Sequence, residues 1–202
     1  MRLTVTTFVT VDGIMQGPGG PEEDRDNGFE LGGWLVPFVD EDFGRFIDDV
    51  FHQVDAFLLG RRTYDIFTGF WPTAGDSDPV AAALNSLPKY VASTTAPELT
   101  WEGAELLSGD TVEAVRELKS RPGKELQVHG SGNLVQTLAA NDLVDTYRLL
   151  VAPVVLGSGK RLFEHGVAPG SFTLAGHSVT GTGLQLLTYE RAGAVETGTV
   201  GT

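Results

Sequence analysis

Two glycines enclosing a serine, Gly130-Ser131-Gly132, separate an alternating apolar stretch from one with helical apolar spacing. Glycine lets the chain turn sharply and lets backbone N–H groups approach a ligand, because no Cβ intervenes. The first N–H groups of the helix that follows lack intrahelical acceptors and carry the positive end of the macrodipole. Gly130, Ser131, Gly132, Asn133 and Leu134 therefore form a natural seat for a diphosphate. The same turn is also an ordinary strand-to-helix connection. Val135 stands where the doubly wound dinucleotide fingerprint has its third glycine, so any nucleotide fold here is a different one.

Cations occur where an anion could use them. In Gly60-Arg61-Arg62-Thr63, two arginines at a strand end and helix start can clamp a phosphate, by the planar guanidinium fork and the Thr63 hydroxyl; a solvated arginine pair is the plainer alternative. Ser93-Thr94-Thr95 ends another strand with hydroxyls that can hold a ribose or its phosphate, or simply form a turn. Asp40, Glu41 and Asp42 crowd the first turn of a helix, where negative charge suits the dipole and where a buried carboxylate could donate protons. The four histidines, His52, His129, His165 and His177, are scattered, which argues against a metal site, and His129 reads as a packed neighbour of the glycine turn.

Composition narrows the possibilities. The 202 residues are 41% apolar, enough for one domain with a full core. There is no cysteine, which excludes disulfides, thiolate metal sites and thiol nucleophiles. A formal net charge of −13 makes nucleic acid and anionic membranes poor partners, so an anionic small molecule needs local cations. The first residues enter a strand with no apolar signal core, and no run is long enough to cross a bilayer, which makes a cytoplasmic location the expectation.

The elements that must position these residues follow from periodicity. A β-branched strand covers 2–11 and a glycine-rich stretch covers 12–37, whose Met15, Phe29, Leu31, Trp34 and Leu35 suit a substrate lid better than a linker. Asp40 caps a helix over 41–53, with Phe43, Phe46, Ile47, Val50 and Phe51 on one face. A strand over 54–59, a helix through Phe67, a helix over 79–87 and strands over 89–92 and 105–107 come next. Asp110 caps a helix ending at Ser120, and the glycine turn lies between a strand from Glu125 and a helix carrying Leu134, Val135 and Leu138. The apolar run over 144–155 contains Pro153, which predicts an edge strand or a bulge and, through that edge, a homodimer. Strands over 171–179 and 183–190 form a hairpin, giving one domain over 1–191 and a flexible tail over 192–202. The whole predicts an α/β fold, a mixed and mostly parallel central sheet with helices on both faces and a C-terminal antiparallel hairpin.

Gly60-Arg61-Arg62-Thr63-Tyr64, Ser93-Thr94-Thr95, Gly130-Ser131-Gly132-Asn133-Leu134-Val135 and Pro153-Val-Val-Leu-Gly-Ser-Gly-Lys-Arg-Leu-Phe163 occur in that order over residues 2–191. In this order they resemble the dihydrofolate reductase superfamily, and within it the reductase (C-terminal) domain of the riboflavin biosynthesis deaminase-reductase and its stand-alone relatives. The resemblance implies NADPH as cofactor. Arg61, Arg62, Thr63, Ser93, Thr94 and Thr95 would hold the adenosine side with its extra phosphate, while Gly130 to Leu134 would hold the pyrophosphate. It implies hydride transfer to a small pterin-like or pyrimidine-like heterocycle, with a carboxylate supplying any proton. Asp12 matches the Asp-Gly common in this branch, and Asp42, four residues before Phe46, has the acid-to-aromatic spacing of folate reducers. The acidic stretch from Gly17 to Asp42 lacks a cation cluster for a ribose phosphate and so departs from the pyrimidine reductase of riboflavin synthesis. A noncatalytic nucleotide-binding or interaction protein on the same fold is the alternative.

Overall fold

The computed structural model describes residues 1–75, 77–164 and 167–201. Its regular elements are β1 (Arg2–Thr10), α1 (Glu41–Phe51), β2 (Val54–Gly60), α2 (Arg61–Thr68), α3 (Pro79–Ser86), β3 (Lys89–Ala92) and β4 (Ala104–Leu106). They continue with α4 (Thr111–Ser120), β5 (Glu125–His129), α5 (Gly132–Ala140), β6 (Thr146–Ala152), β7 (Ser171–Val179) and β8 (Gln185–Gly193). His165 lies outside the described residues.

Among the described residues all eight strands join one sheet, in the order β4-β3-β2-β5-β1-β6-β8-β7. The pairs from β4 through β6 are parallel, and β8 runs antiparallel to both β6 and β7, as the expected mixed sheet requires. Alternation along β2 assigns its two faces. Ala56 and Leu58 pack with Val115, Leu118, Leu134 and Leu138 of α4 and α5. Phe57 and Leu59 pack with Tyr64 and Leu84 of α2 and α3 on the other side, so a period of two feeds two separate cores. Side-chain caps stop fraying at three helix starts: Asp40, Asp78 and Asp110 accept from the first free N–H groups of α1, α3 and α4.

The run over 144–155 is not an edge. β6 is shorter than expected and sits between β1 and β8, and Pro153 follows its last residue. The reason is physical: a strand flanked by two partners also reads as an apolar run, and a proline ends such a strand as readily as it tolerates an edge. The real edges are β4 and β7. With β6 enclosed, the argument for a homodimer through that strand falls. β8 begins at Gln185 because Thr180, Gly181, Thr182 and Gly183 form the turn, closed by Gly183 N–H to Thr180 O at 3.0 Å, and it runs to Gly193, past the expected end at 190.

The stretch over 12–37 folds onto the sheet. Phe29, Trp34 and Leu35 are buried with Ile14, Leu150, Leu184 and Leu186, and the Trp34 indole donates to Gln16 O at 2.8 Å. The second glycine turn, around Gly157 and Gly159, holds it there: Met15 N–H donates to Lys160 O at 2.8 Å, and Lys160 N–H to Gln16 Oε1 at 3.0 Å. Gly159 has φ +133° and an added Cβ would come within 2.7 Å of Ile14, so only glycine fits this approach.

Candidate active site

A cleft of about 1000 Å³ opens at the carboxyl ends of β2, β3 and β5, the crevice where open α/β sheets place their ligands. Gly60, Arg61, Arg62, Thr63, Ser93, Thr94, Thr95, Gly130, Ser131, Gly132, Asn133 and Leu134 all line it. Three motifs from separate parts of the chain thus meet around one space, with Lys160 and Arg161 of the fourth at its rim.

At its centre the chain leaves β5 through two successive left-handed residues, Gly130 at φ +58° and Ser131 at φ +57°. For serine this conformation is strained, and three hydrogen bonds hold it. Ser131 N–H donates to Thr63 Oγ1 at 3.1 Å, Gly60 N–H donates to Ser131 Oγ at 2.9 Å, and Ser131 Oγ lies 3.0 Å from Thr63 Oγ1. The serine hydroxyl therefore ties the glycine turn to the β2-α2 junction and does not point at a ligand. An added Cβ at Gly60 would lie 3.3 Å from Ser131 Oγ, and one at Gly130 would lie 3.3 Å from Thr63 Oγ1, so both glycines serve this approach. The first intrahelical bond of α5 runs from Val135 N–H to Ser131 O at 3.0 Å. The N–H groups of Gly132, Asn133 and Leu134 have no protein acceptor among the described residues, and no side chain caps them. Three free donors at a helix start, bare of Cβ at Gly132, can hold a diphosphate.

The cations around the cleft are already engaged. Arg61 binds Asp65 within α2 through Nε at 2.7 and 2.8 Å. Arg62 reaches Asp24 at 2.8 Å and Asp26 at 2.5 Å, and Lys160 reaches the same two carboxylates at 2.7 Å each. Lys160 and Arg62 hold the Asp26 carboxyl below its ordinary value, the Lys160 hydrogen bond contributing most. This four-membered cluster ties the folded-down stretch to the cleft rim. At the end of β3, Ser93 Oγ accepts from Thr95 N–H at 3.2 Å, an ordinary turn that still presents its hydroxyls to the cleft.

The other half of the cleft is apolar and deep. Phe43, Ile47 and Phe51 of α1 face Phe8 of β1, with the Phe8 and Phe43 rings 5.9 Å apart. Two polar groups there have no protein partner among the described residues: the Asp48 carboxylate, one turn before Phe51, and the buried Thr6 hydroxyl. Glu23 also borders the cleft, where burial raises its carboxyl and Gly19 N–H binds it at 2.5 Å. His129 forms part of the floor, its ring 5.2 Å from Phe51 and 5.8 Å from Phe57, a packed neighbour of the glycine turn as expected. Burial lowers its pKa to about 4, with the Arg148 charge adding to the effect, so the ring is neutral at ordinary pH.

Neither Asp12 nor Asp42 borders this cleft. Asp12 closes a turn: it accepts from Thr10 Oγ1 at 2.6 Å and from Gly157 N–H at 2.9 Å, and the Thr10 bond contributes most to holding its carboxyl below the usual aspartate value. Asp42 pairs with Arg45 on the outer side of α1 and accepts from Gly181 N–H at 3.2 Å. Asp48 escaped the sequence reading because a carboxylate on an amphipathic helix passes for a solvated one. The available signal was its place beside Ile47 and one turn before Phe51, on the flank of the apolar stripe. Among the described residues no group of three or more histidines and carboxylates is arranged to hold a metal ion, and no helix is long and apolar enough to cross a membrane.

This sheet order and crevice define a protein of the dihydrofolate reductase-like α/β class. Residues 2–186 match the model of the RibD C-terminal domain, and the chain belongs to that family. It is 32% identical over 165 residues to the uncharacterized protein YyaP of Bacillus subtilis (strain 168), covering 80% of each chain. Among solved structures it is similar to a riboflavin-biosynthesis-like protein from Shewanella sp. PV-4, with TM-score 0.66 and 23% identity over 95% of this chain and 99% of that one. It is also similar to the dihydrofolate reductase of Enterococcus faecalis complexed with NADP(H), with TM-score 0.60 and 12% identity over 94% and 96% of the two chains. At these identities the likeness to solved structures establishes the fold.

Proposed function

We propose that the protein is an NADPH-dependent reductase of a small planar heterocycle, of pterin or pyrimidine type. The observation that carries this reading is the three N–H groups of Gly132, Asn133 and Leu134 that have no partner among the described residues, at the start of α5 in a cleft that the 60–63, 93–95 and 130–134 motifs all line. NADPH supplies the hydride when bound. The α5 start holds its diphosphate, while Arg61, Thr63 and the hydroxyls of Ser93, Thr94 and Thr95, just past the carboxyl ends of β2 and β3, take the adenosine side. Arg62 serves that side only by giving up Asp24 and Asp26. The apolar half, Phe8, Phe43, Ile47 and Phe51, stacks a flat ring and excludes water. Asp48, with no partner among the described residues, is the side chain through which a proton from solvent passes to the ring nitrogen as the adjacent carbon takes the hydride.

A second reading, a noncatalytic nucleotide-binding or interaction protein, draws on the engaged cations and on the exclusion of Asp12 and Asp42 from the cleft. One experiment separates the two. NADPH is titrated by its fluorescence, and oxidised pterins and pyrimidines are then added while absorbance of the reduced nicotinamide is followed. Binding followed by oxidation supports the reductase; binding with no oxidation by any candidate supports the second reading. We place the expected homodimer contact at β7, the sheet edge on which Leu174 and Val179 are exposed.

A further inference from the structure

Beneath α1 a chain of buried polar groups crosses the sheet and ends in the cleft. Arg148 of β6 holds Glu125 of β5 through two bonds of 2.7 Å. Glu125 Oε2 accepts from Gln127 Nε2 at 2.8 Å, and the same Nε2 donates to Val50 O of α1 at 2.8 Å. Both of these partners are acceptors only, so the Gln127 amide cannot be reversed, and its Oε1 must face His129 Nε2, 3.0 Å away. An amide oxygen cannot donate. His129 is therefore protonated at Nε2 and, as a neutral ring, carries a bare lone pair at Nδ1. Nδ1 has no protein partner among the described residues, and the ring borders the cleft.

Thr6 is the register partner of His129 in the parallel β1-β5 pair. Its hydroxyl is buried, lacks a protein partner among the described residues and belongs to a residue that also lines the cleft. We infer that the deep end of the cleft reads a cyclic amide edge, with His129 Nδ1 accepting a ring N–H and the Thr6 hydroxyl donating to the adjacent carbonyl. The inference rests on the reductase reading above and narrows its substrate to heterocycles that present such an edge. A ring offering only lone pairs to His129 is rejected, because two acceptors then face each other in a site that water leaves on ligand binding.

Burial holds the histidine neutral, which keeps Nδ1 an acceptor. A titrating ring would turn from acceptor to donor near neutral pH and reverse its preference; burial and the Arg148 charge remove that switch.

The test uses lumazine, a pteridine dione with ring N–H groups next to carbonyls, and 1,3-dimethyllumazine, which has N–CH3 in their place. Both are titrated by fluorescence into wild type, His129→Phe and Thr6→Val, with NADPH titrated in parallel. The expected result is a preference for lumazine of about tenfold in wild type, the equivalent of one good net hydrogen bond. That preference is lost in His129→Phe, which keeps a ring between Phe51 and Phe57, and reduced in Thr6→Val. Nitrogen-15 spectra of the wild-type histidine are expected to show protonated Nε2 and bare Nδ1, with Nδ1 shifting on addition of lumazine. Absence of lumazine binding, equal binding of the two probes by wild type, a preference retained in His129→Phe, or a proton on Nδ1 overturns the inference. Failure of NADPH to bind any of the proteins instead overturns the nucleotide reading, while the lumazine pair and the spectra still decide the role of His129.

Discussion

Asp48 and Ser131 show how differently two cleft residues can act. Asp48 has no partner among the described residues, and the proposed mechanism passes the proton through it. Asp48→Asn keeps the shape and is expected to lower turnover of an accepted oxidant roughly 10²- to 10⁴-fold while NADPH affinity holds; steady-state kinetics beside a cofactor titration checks both. Ser131 works inside the protein instead. Ser131→Ala leaves Gly60 N–H without its acceptor, and urea unfolding is expected to show a loss of about 1–3 kcal/mol. The sequence placed Ser131 in the diphosphate seat through the backbone of its glycine turn and was silent on its hydroxyl. Its true partners, Gly60 and Thr63, lie 71 and 68 residues away, a pairing no local pattern carries. His129 adds a pH dependence. Its folded pKa of about 4 lies below the ordinary 6.5, so between those values the unfolded chain binds a proton that the folded chain does not. Stability then falls as pH drops from 6.5 toward 4, and His129→Phe is expected to flatten that slope in urea midpoints taken at pH 7.5 and 5.

Elements with strong periodicity were legible, and those defined by distant partners were not. The stripe Phe43, Phe46, Ile47, Val50 and Phe51 fixes α1, and the caps Asp40 and Asp110 place its start and that of α4. The apolar run around β6 announced a strand yet said nothing about its neighbours, because burial by two flanking strands and exposure at a sticky edge draw on the same residues. The glycine-rich stretch over 12–37 was legible as more than a linker. Its attachment was not, since Asp24 meets Arg62 and Lys160 across 38 and 136 residues. That attachment is testable as a unit. Asp24→Asn with Asp26→Asn removes the carboxylate charges that hold both cations, and amide exchange over 16–35 is expected to quicken while β1, β5 and β6 keep their protection. Unchanged exchange in that stretch would mean that the apolar contacts of Phe29, Trp34 and Leu35 hold it alone.

At the scale of the whole molecule, a chain of net charge −13 sets Arg61, Arg62, Lys160 and Arg161 around one cleft together with Glu23, Asp24, Asp48, Asp78 and Glu164, so the proposed hold on an anionic cofactor rests on the free N–H groups of α5 more than on the cations. The same sheet leaves β7 as an edge with exposed Leu174 and Val179, so light scattering at micromolar concentration is expected to give twice the chain mass, and Leu174→Lys to return it to one. The central claim is that the start of α5 receives a diphosphate. The most direct measurement is calorimetric titration of NADPH into wild type and Gly132→Asp. An aspartate in the first turn of a helix suits the dipole, and its Cβ meets only the end of the flexible Met15 side chain, the sulfur at 3.2 Å, so the fold is expected to persist while the new carboxylate repels the phosphates. The account predicts uptake by wild type and an affinity at least about tenfold weaker in the variant, at unchanged melting temperature. Equal affinity in the two proteins, or no uptake by wild type, would contradict it.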